Sequence, residues 1–184
     1  LISAEYAAQR QADINMERAF YPDPGSPPSP ESASTTHVTA ADADGNIAAL
    51  TQTINEEFGS RVIVPGTGFF LNNTMALFDP HPGHPNSVAS GRRMVSSNSP
   101  TILSKEGRPF MALGTPGGVR IFPSVAQAVV NVIDHRMTLQ EAVEAPRVWT
   151  QGQALEVESA VPEKVRNGLS ARGHDLLEVK TVAG

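Results

Sequence analysis

The 184-residue sequence contains no cysteine. Disulfides, thiolate metal sites and a cysteine nucleophile are therefore excluded together, whereas the compartment stays open because secreted and cytosolic proteins can both lack cysteine. Hydrophobic residues make up 40% of the chain but occur in short runs. No run approaches the roughly 20 apolar residues that a membrane-spanning helix needs. The sequence therefore predicts no membrane span.

Positive charge is also scarce in this chain. It has 14 Lys and Arg against 19 Asp and Glu, for a net charge of -5. Because the basic residues form no stripe that would follow a phosphate backbone, nucleic acid is not expected as a partner. The length suits one domain with a hydrophobic core. The first residues show neither a start methionine nor a signal-peptide pattern, so we expect a fragment or a processed product.

Proline, by contrast, is concentrated in one segment near the start. Tyr21 to Ser34 contains five prolines, a glycine and several serines, so neither a helix nor a central strand is expected there. The segment is interpreted either as a linker or as an exposed stretch that ends at a processing site. Before it, Leu1 to Phe20 is rich in alanine and free of glycine and proline, which predicts a helix.

The remainder alternates short β-type segments with helical ones, which predicts an α+β fold. Thr138 followed three residues later by Glu141 predicts a capping box, and a Pro/Gly/His loop is expected over Asp79 to Arg93. The predicted strands are Thr35–Ala41, Ile47–Ile54, Arg61–Pro65, Gly68–Leu71, Thr101–Ser104, Phe110–Leu113, Leu155–Glu158 and Leu176–Val179, and the predicted helices are Pro123–His135, Thr138–Glu144 and Pro162–Ala171.

The acidic turn between the first two strands has two interpretations. It invites comparison with a calcium-binding loop, but the further ligands and the closing glutamate of an EF-hand are missing, which favours a hairpin turn. A turn centred on Asp44 places Thr35 opposite Thr53. Thr51, Thr53 and Asn55 then share one face, because side chains alternate along a strand. A two-residue turn would shift this register by one position.

Three polar segments downstream are further candidate sites. His81 and His84 have a spacing found in metal sites, but no third ligand is near, which favours an exposed loop. Ser96 and Ser97 precede a proline and fit an ordinary polar turn as well as a binding segment. The glycine run from 114 to 118 resembles a phosphate loop but lacks its lysine. Glycines in such a turn also let two backbone N–H groups converge on one oxygen.

Thr35 stands where the proline-rich segment meets the first strand. If the Ser34–Thr35 bond is cut, Thr35 gains a free α-amine with a pKa near ~7.7 to 8.0, which can take the proton from its own hydroxyl. Within an intact chain the same nitrogen is an amide and cannot act as a base. The sequence therefore predicts a threonine nucleophile that depends on backbone cleavage.

Together these segments resemble the γ-glutamyltranspeptidase family in order and spacing, over nearly the whole chain. The segments that carry the resemblance are Thr35-Thr36-His37, Thr53 with Asn55, Leu71-Asn72-Asn73, Ser96 to Ile102, and Gly114 to Ile121. The family consists of N-terminal-nucleophile hydrolases, each made as a precursor that cuts itself into two subunits. The resemblance implies an αββα four-layer sandwich, a small-molecule amide substrate, no metal or other cofactor, and a periplasmic or secreted location.

The resemblance also implies a division of the chain and a role for each motif residue. Residues 1–34 would be the tail of the large subunit, and residues 35–184 would be the small, catalytic subunit without its last strands, so the large subunit of the same precursor is the expected partner. The implied roles are Thr35 as nucleophile with Ser34–Thr35 as the cleavage site, Thr53 as its hydrogen-bond partner, Asn55 and Thr74 at the substrate's α-amino end, Ser96 and Ser97 at its α-carboxylate, and the amides of Gly117 and Gly118 as the oxyanion hole.

Two departures from the family pattern bear on the substrate. Where the family carries an acidic or amide residue and, three positions later, an aspartate that binds the substrate's ammonium, this chain has Thr74 and Leu77. Only 17 residues separate Phe78 from Ser96, too few for the long lid of some members, so we expect an open site. The expected substrate is a γ-glutamyl amide of the glutathione type. The alternatives are a dicarboxylic monoamide such as a glutaryl cephalosporin, or a noncatalytic secreted relative.

Overall fold

The computed structural model describes residues 4–12, 14–18 and 34–182. These residues form both helices and strands. The helices are α1 (Ala4–Ala12), α2 (Ile121–Ile133), α3 (Leu139–Glu144) and α4 (Glu163–Ala171). The strands are β1 (Thr35–Ala41), β2 (Ile47–Thr53), β3 (Thr101–Lys105), β4 (Arg108–Leu113), β5 (Val148–Trp149), β6 (Leu155–Glu158) and β7 (Leu176–Val179), and single 3-10 turns occupy Thr74–Leu77 and Gly118–Arg120.

Strands β1 and β2 form an antiparallel hairpin with the predicted register. Thr35 lies opposite Thr53, and Ala41 lies opposite Ile47. The turn is closed by the carboxylate of Asp42, which accepts hydrogen bonds from the backbone N–H of Asp44 at 3.0 Å and of Asn46 at 2.8 Å. The prediction that these residues form a hairpin turn is confirmed. Local side-chain to backbone bonding thus fixes which residues face Thr35.

The other strands form a second hairpin and a small mixed sheet. β3 pairs antiparallel with β4, and β4 lies beside β2 before it runs into the glycine loop. β5 pairs antiparallel with β6, which pairs in parallel with β7 across α4. Leu155 and Val157 of β6 form a buried cluster with Val161. The second hairpin therefore delivers the glycine loop to the neighbourhood of the first.

Helices α2, α3 and α4 lie within two residues of their predicted bounds. α2 starts at Ile121, two residues earlier than expected, because a proline is tolerated in the first turn of a helix. The capping box that precedes α3 is confirmed, with both of its reciprocal bonds between Thr138 and Glu141 present. Gly173, with φ of 92°, follows α4 and supports the left-handed conformation that ends it.

Three predicted elements were wrong in extent or type. Arg61–Pro65 and Gly68–Leu71 form a single antiparallel bridge between Ile63 and Phe70 instead of strands, since the intervening glycines at 66 and 68 adopt positive φ values of 77° and 75° that bend the backbone away from a ladder. The described part of the first helix ends at Ala12. Beyond it, the Asn15 side chain accepts backbone N–H bonds from residues 17 and 18 and so competes with helical pairing.

One predicted segment lies outside the described residues, and one observed strand was not predicted. The proline-rich segment falls on residues 21–33, which lie outside the described residues. The two-residue strand β5 was not predicted, because its pairing with Val157 and Glu156 is a long-range contact without a local signal. None of the helices in the described ranges has the length and apolar character needed to cross a bilayer.

Candidate active site

The centre of the candidate site is a pair of threonine hydroxyls at the open end of the first hairpin. Thr35 is the first residue of β1, and Thr53 is the last residue of β2. The Thr35 hydroxyl donates a hydrogen bond to the Thr53 hydroxyl at 3.1 Å, and only 9% of Thr35 is exposed. The predicted contact between these two residues is therefore present. Its burial matters because a water-poor setting strengthens polar interactions.

The Thr53 hydroxyl makes two further contacts. It donates a hydrogen bond to the carbonyl oxygen of Ser34 at 3.3 Å and accepts one from the backbone N–H of Asn55 at 2.8 Å. A hydroxyl has one proton to donate and two lone pairs, so these three bonds use its full capacity. The Thr53 oxygen thus accepts from the predicted nucleophile while its proton points at the carbonyl that precedes that nucleophile.

Asn55 is held by an asparagine from the next loop. Its side-chain N–H donates to the Asn73 side-chain oxygen at 3.0 Å, and the same oxygen accepts the Glu56 backbone N–H at 3.1 Å. Asn55 is 6% exposed and has a φ of 75°, a left-handed conformation that asparagine tolerates better than most residues. Asn73 therefore fixes Asn55 next to Thr53.

Thr74 and Leu77, which follow Asn73, carry no charge. The backbone N–H and the hydroxyl of Thr74 both donate to the side-chain oxygen of Asn72. Leu77, three residues on, is 8% exposed and closes the 3-10 turn. Where the family pattern has an acidic or amide residue and then an aspartate, this chain thus has the hydrogen-bonded hydroxyl of Thr74 and the buried aliphatic side chain of Leu77.

A histidine connects strand β1 with the glycine loop. His37 lies two residues after Thr35, and its ring nitrogens contact the hydroxyls of Thr51 at 2.8 Å and Thr39 at 2.9 Å. The ring packs directly on Gly114, where an added Cβ would lie 2.3 Å from ring atoms. The first glycine of the loop is therefore needed for close approach, and β1 and the loop meet at this point. These contacts give His37 a structural role between β1 and the loop.

The glycine loop itself is shaped by two residues with positive φ. Gly117 and Gly118 have φ values of 132° and 59°, which side-chain-bearing residues adopt at a cost. Gly118 is buried and opens the 3-10 turn that leads into α2. A cavity of about 430 Å³ borders this loop and is lined by His37, Thr115 and Arg147 among others. Accessible space thus reaches the loop beside β1.

The serine segment is a polar turn connected to the 3-10 turn by an asparagine. The Ser96 hydroxyl accepts the backbone N–H of Asn98 at 3.2 Å. Just before Ser96, the backbone N–H of Val95 donates to the side-chain oxygen of Asn86 at 3.1 Å, while the Asn86 side-chain N–H donates to the Leu77 carbonyl at 2.6 Å. The sequence analysis did not assign Asn86 a role, because its two partners are distant along the chain.

The loop between these segments is organised around Asp79. Its carboxylate accepts the backbone N–H of His81 at 2.8 Å and contacts the rings of both His81 and His84. The His81 N–H first, and then the His84 side chain, hold the pKa of Asp79 at about 2, well below its usual value of 3.8. Across the described residues no cluster of three or more His, Cys, Asp or Glu side chains is arranged to hold a metal ion.

Arg120, at the end of the glycine segment, has structural contacts. Its guanidinium forms an ion pair with Glu156 at 2.8 Å and lies 4.3 Å from the centre of the Trp149 ring. Arg147 donates to the carbonyl of Val143 at 2.8 Å and lines the cavity. Trp149 lies in β5, the outer strand of the small mixed sheet, and is half-buried.

Comparison with known proteins identifies the class and then the family. Among solved structures, the chain is similar to a cephalosporin acylase from Bacillus halodurans, with a TM-score of 0.83 and 33% identity over 97% of this chain and 32% of that one. It is also similar to a Helicobacter pylori gamma-glutamyltranspeptidase mutant, with a TM-score of 0.74 and 37% identity over 80% and 86% of the two chains. The fold is thus of the N-terminal-nucleophile hydrolase class.

The sequence matches the gamma-glutamyltranspeptidase family over residues 1–184, and the chain belongs to that family. It is 55% identical, over its full length and 33% of the relative's length, to the acylase ACY 1 proenzyme of Pseudomonas sp. strain SE83. It is 35% identical to the glutathione hydrolase proenzyme of Bacillus subtilis strain 168, over 95% of this chain and 33% of that protein. The chain therefore spans about a third of the length of these curated relatives.

Proposed function

We propose that Thr35 is the nucleophile of a self-processing amidohydrolase or acyltransferase. The observation that carries the proposal is the hydrogen-bonded chain from the Thr35 hydroxyl through Thr53 to the Ser34 carbonyl. A nucleophile, a group that accepts its proton and a donor to the attacked carbonyl are the elements that an acyl transfer needs. Here they surround one peptide bond, Ser34–Thr35.

The first reaction of this arrangement is self-cleavage. The Thr35 oxygen attacks the Ser34 carbonyl carbon, and the Thr53 proton stabilises the charge that develops on the Ser34 oxygen. Collapse of the tetrahedral intermediate breaks the C–N bond as the proton given up by the Thr35 hydroxyl passes to the nitrogen, so that Ser34 is held as an ester on Thr35 and the Thr35 nitrogen becomes an amine. Water then hydrolyses the ester. Residues up to 34 remain with the large subunit, and Thr35 begins the small one.

The second reaction uses the amine that the first one releases. The Thr35 α-amine takes the proton from its own hydroxyl as the oxygen attacks the substrate amide. The backbone N–H groups of Gly117 and Gly118 stabilise the oxyanion, and the leaving amine takes a proton from the Thr35 ammonium as its C–N bond breaks, which leaves an acyl-threonine ester. Water or a second amine resolves this ester. No step requires a cofactor.

The acyl group is recognised at two places in this proposal. Asn55 and Thr74 lie at the end that receives an α-amino group, and Ser96 and Ser97 offer hydroxyl and amide donors to a carboxylate. The first candidate substrate is a γ-glutamyl amide such as glutathione, since several relatives are named glutathione hydrolase proenzymes. Cleavage of such a substrate releases the amine portion and leaves a γ-glutamyl ester on Thr35.

A second candidate substrate is a dicarboxylic monoamide that lacks the α-amine, such as a glutaryl amide. It is favoured by the buried Leu77, which supplies no negative charge where a substrate ammonium would need one. Relatives named as acylase proenzymes and a structure named as a cephalosporin acylase support it as well. A noncatalytic relative is the weaker alternative, because the threonine pair and the glycine loop are both retained.

The four-layer sandwich and the large subunit belong to the same proposal. On the hairpin, Val38 and Leu50 pair across the strands and are each more than half exposed. Apolar surface of this kind on a sheet face calls for a covering layer. We expect the remainder of the precursor to supply that layer.

The proposal is tested with the processed full-length protein and two chromogenic anilides, γ-glutamyl and glutaryl. We expect hydrolysis of at least one, at a rate that falls as the Thr35 amine is protonated below its pKa of roughly 8. Thr36→Ala is the matched control because Thr36 is exposed and points away from Thr53. Rates equal to those of Thr35→Ala for both anilides would refute an enzymatic function.

A further inference from the structure

Asn86 connects two parts of the chain that the proposed acyl site needs at a fixed separation. Its side-chain N–H donates to the carbonyl of Leu77 at 2.6 Å, and its side-chain oxygen accepts the backbone N–H of Val95 at 3.1 Å. Leu77 ends the 3-10 turn that begins at Thr74. Val95 immediately precedes Ser96. One side-chain amide thus joins the turn proposed to receive the substrate's α-amino group to the segment proposed to receive its carboxylate.

The backbone of Asn86 is itself held, so that this amide has a defined position. The Asp79 N–H donates to the Asn86 carbonyl at 3.0 Å, and the Val88 N–H donates to the Asp79 carbonyl at 3.2 Å. Ser87, next to Asn86, is 7% exposed, and its hydroxyl accepts the His84 N–H at 2.8 Å. The backbone on both sides of the Asn86 side chain is therefore held by hydrogen bonds within the loop.

An asparagine side chain suits this position better than its close analogues. The primary amide provides a donor and an acceptor on one rigid plane, which matches a carbonyl on one side and an N–H on the other. Aspartate of the same shape keeps the acceptor for Val95 and loses the donor for Leu77. Alanine loses both bonds.

We propose that Asn86 is a positioning residue that sets the distance between the Thr74–Leu77 turn and the Ser96–Ser97 segment, and thereby the fit of the acyl group. The inference rests on the proposed function of the site. Asn86 does not itself touch the reacting atoms. It acts through its hydrogen bonds to Leu77 and Val95. The segment that contains Asn86, between Phe78 and Ser96, is too short to form a long lid over the site.

This role separates acyl recognition from self-cleavage. The groups proposed for self-cleavage, Ser34, Thr35 and Thr53, lie on the hairpin, and no hydrogen bond described for Asn86 reaches them. Loss of the two Asn86 side-chain hydrogen bonds should therefore weaken substrate binding while self-cleavage continues. A residue needed only for folding would reduce both.

The experiment compares Asn86→Ala and Asn86→Asp with the control Arg92→Ala in the full-length protein. Arg92 donates to the Pro85 carbonyl at 3.2 Å in the same loop but joins no part of the site. For Asn86→Ala we expect a KM for the better anilide about tenfold or more above native, from the loss of two hydrogen bonds, with processing at the native rate. Asn86→Asp should fall between native and alanine, and Arg92→Ala should match native.

Hydrogen exchange at the Val95 amide gives a readout that does not depend on substrate. Protection should be lost in Asn86→Ala and kept in Asn86→Asp and Arg92→Ala. A KM within twofold of native together with a protected Val95 amide in Asn86→Ala would overturn the inference, as would failure of that variant to process. If the native protein is processed but hydrolyses neither anilide, the proposed substrates fail, and the Val95 exchange still decides whether the bridge exists.

Discussion

Replacing Thr53 with valine removes one hydroxyl and nearly preserves the shape of the side chain. Three contacts disappear: the bond accepted from Thr35 at 3.1 Å, the bond accepted from the Asn55 N–H at 2.8 Å, and the bond donated to the Ser34 carbonyl at 3.3 Å. The first two are ordinary bonds that each contribute on the order of 1 kcal/mol. The third decides the rate, because its acceptor becomes the oxyanion of self-cleavage.

A single oxyanion donor typically contributes about 2.7 to 4 kcal/mol to the barrier, or about 10²- to 10³-fold in rate. The distance of 3.3 Å to Ser34 is long for an O–H donor, so we take the lower end of that range. Thr53→Val should therefore slow self-cleavage about 100-fold. The assay follows conversion of purified full-length precursor into two fragments by mass spectrometry at neutral pH.

Thr51→Val is the matched control for this experiment. Thr51 lies two residues away on the same strand and face, and its hydroxyl contacts the His37 ring at 2.8 Å instead of Ser34 or Thr35. We expect its precursor to process within a few-fold of native. Processing of Thr53→Val at the native rate, or equal slowing of both variants, would refute the proposed role of the Thr53 proton.

Three further predictions concern selectivity, packing and acid stability. Leu77→Asp should raise the ratio of γ-glutamyl to glutaryl anilide hydrolysis by about 10- to 100-fold, because a charge-assisted bond to the substrate ammonium contributes about 1.5 to 3 kcal/mol. Gly114→Ala should lower the free energy of unfolding by about 1 to 3 kcal/mol in urea titrations, since its Cβ would lie 2.3 Å from the His37 ring. The Asp79 pKa of about 2 is set first by the His81 N–H. It predicts a stabilisation of the folded state that is present above the ordinary pKa of 3.8 and is lost as the pH falls toward 2. Acid titration of unfolding should show this loss in the native protein and not in Asp79→Asn.

Each of these predictions has its own control or opposing result. Leu77→Asn has the same shape as the aspartate variant without its charge, so an equal change in both variants would exclude an ionic cause. Gly168→Ala, in α4, meets only the Arg172 side chain at 3.6 Å and should be neutral or stabilising. Identical acid titrations of native and Asp79→Asn protein would show that the Asp79 contacts add no stability.

The sequence predicted the hairpin and its register because the controlling interactions are local. Asp42 closes the turn through bonds to residues two and four positions later, and alternation along β2 then determines that Thr53 faces Thr35. The helix caps were predictable for the same reason, since Thr138 and Glu141 are three residues apart. Motif resemblance supplied the role proposed for the glycine loop, and the positive φ values at 117 and 118 fit it.

Features that depend on long-range contacts were not predictable from the sequence. The bond from Thr53 to the Ser34 carbonyl requires that carbonyl to face β2, and no local pattern encodes it. Asn86 was passed over because its partners lie nine residues away on either side. The segment around Ile63 and Phe70 had β-type composition, but positive φ values at the intervening glycines limit it to one bridge.

The most direct test of the central claim is the intact mass of freshly made full-length protein and of its Thr35→Ala and Thr36→Ala variants. We predict that native protein and Thr36→Ala split between Ser34 and Thr35, giving a small fragment whose first residue is Thr35, and that Thr35→Ala stays intact. A Thr35→Ala protein that still splits at this bond, or a native protein that never does, would contradict the account.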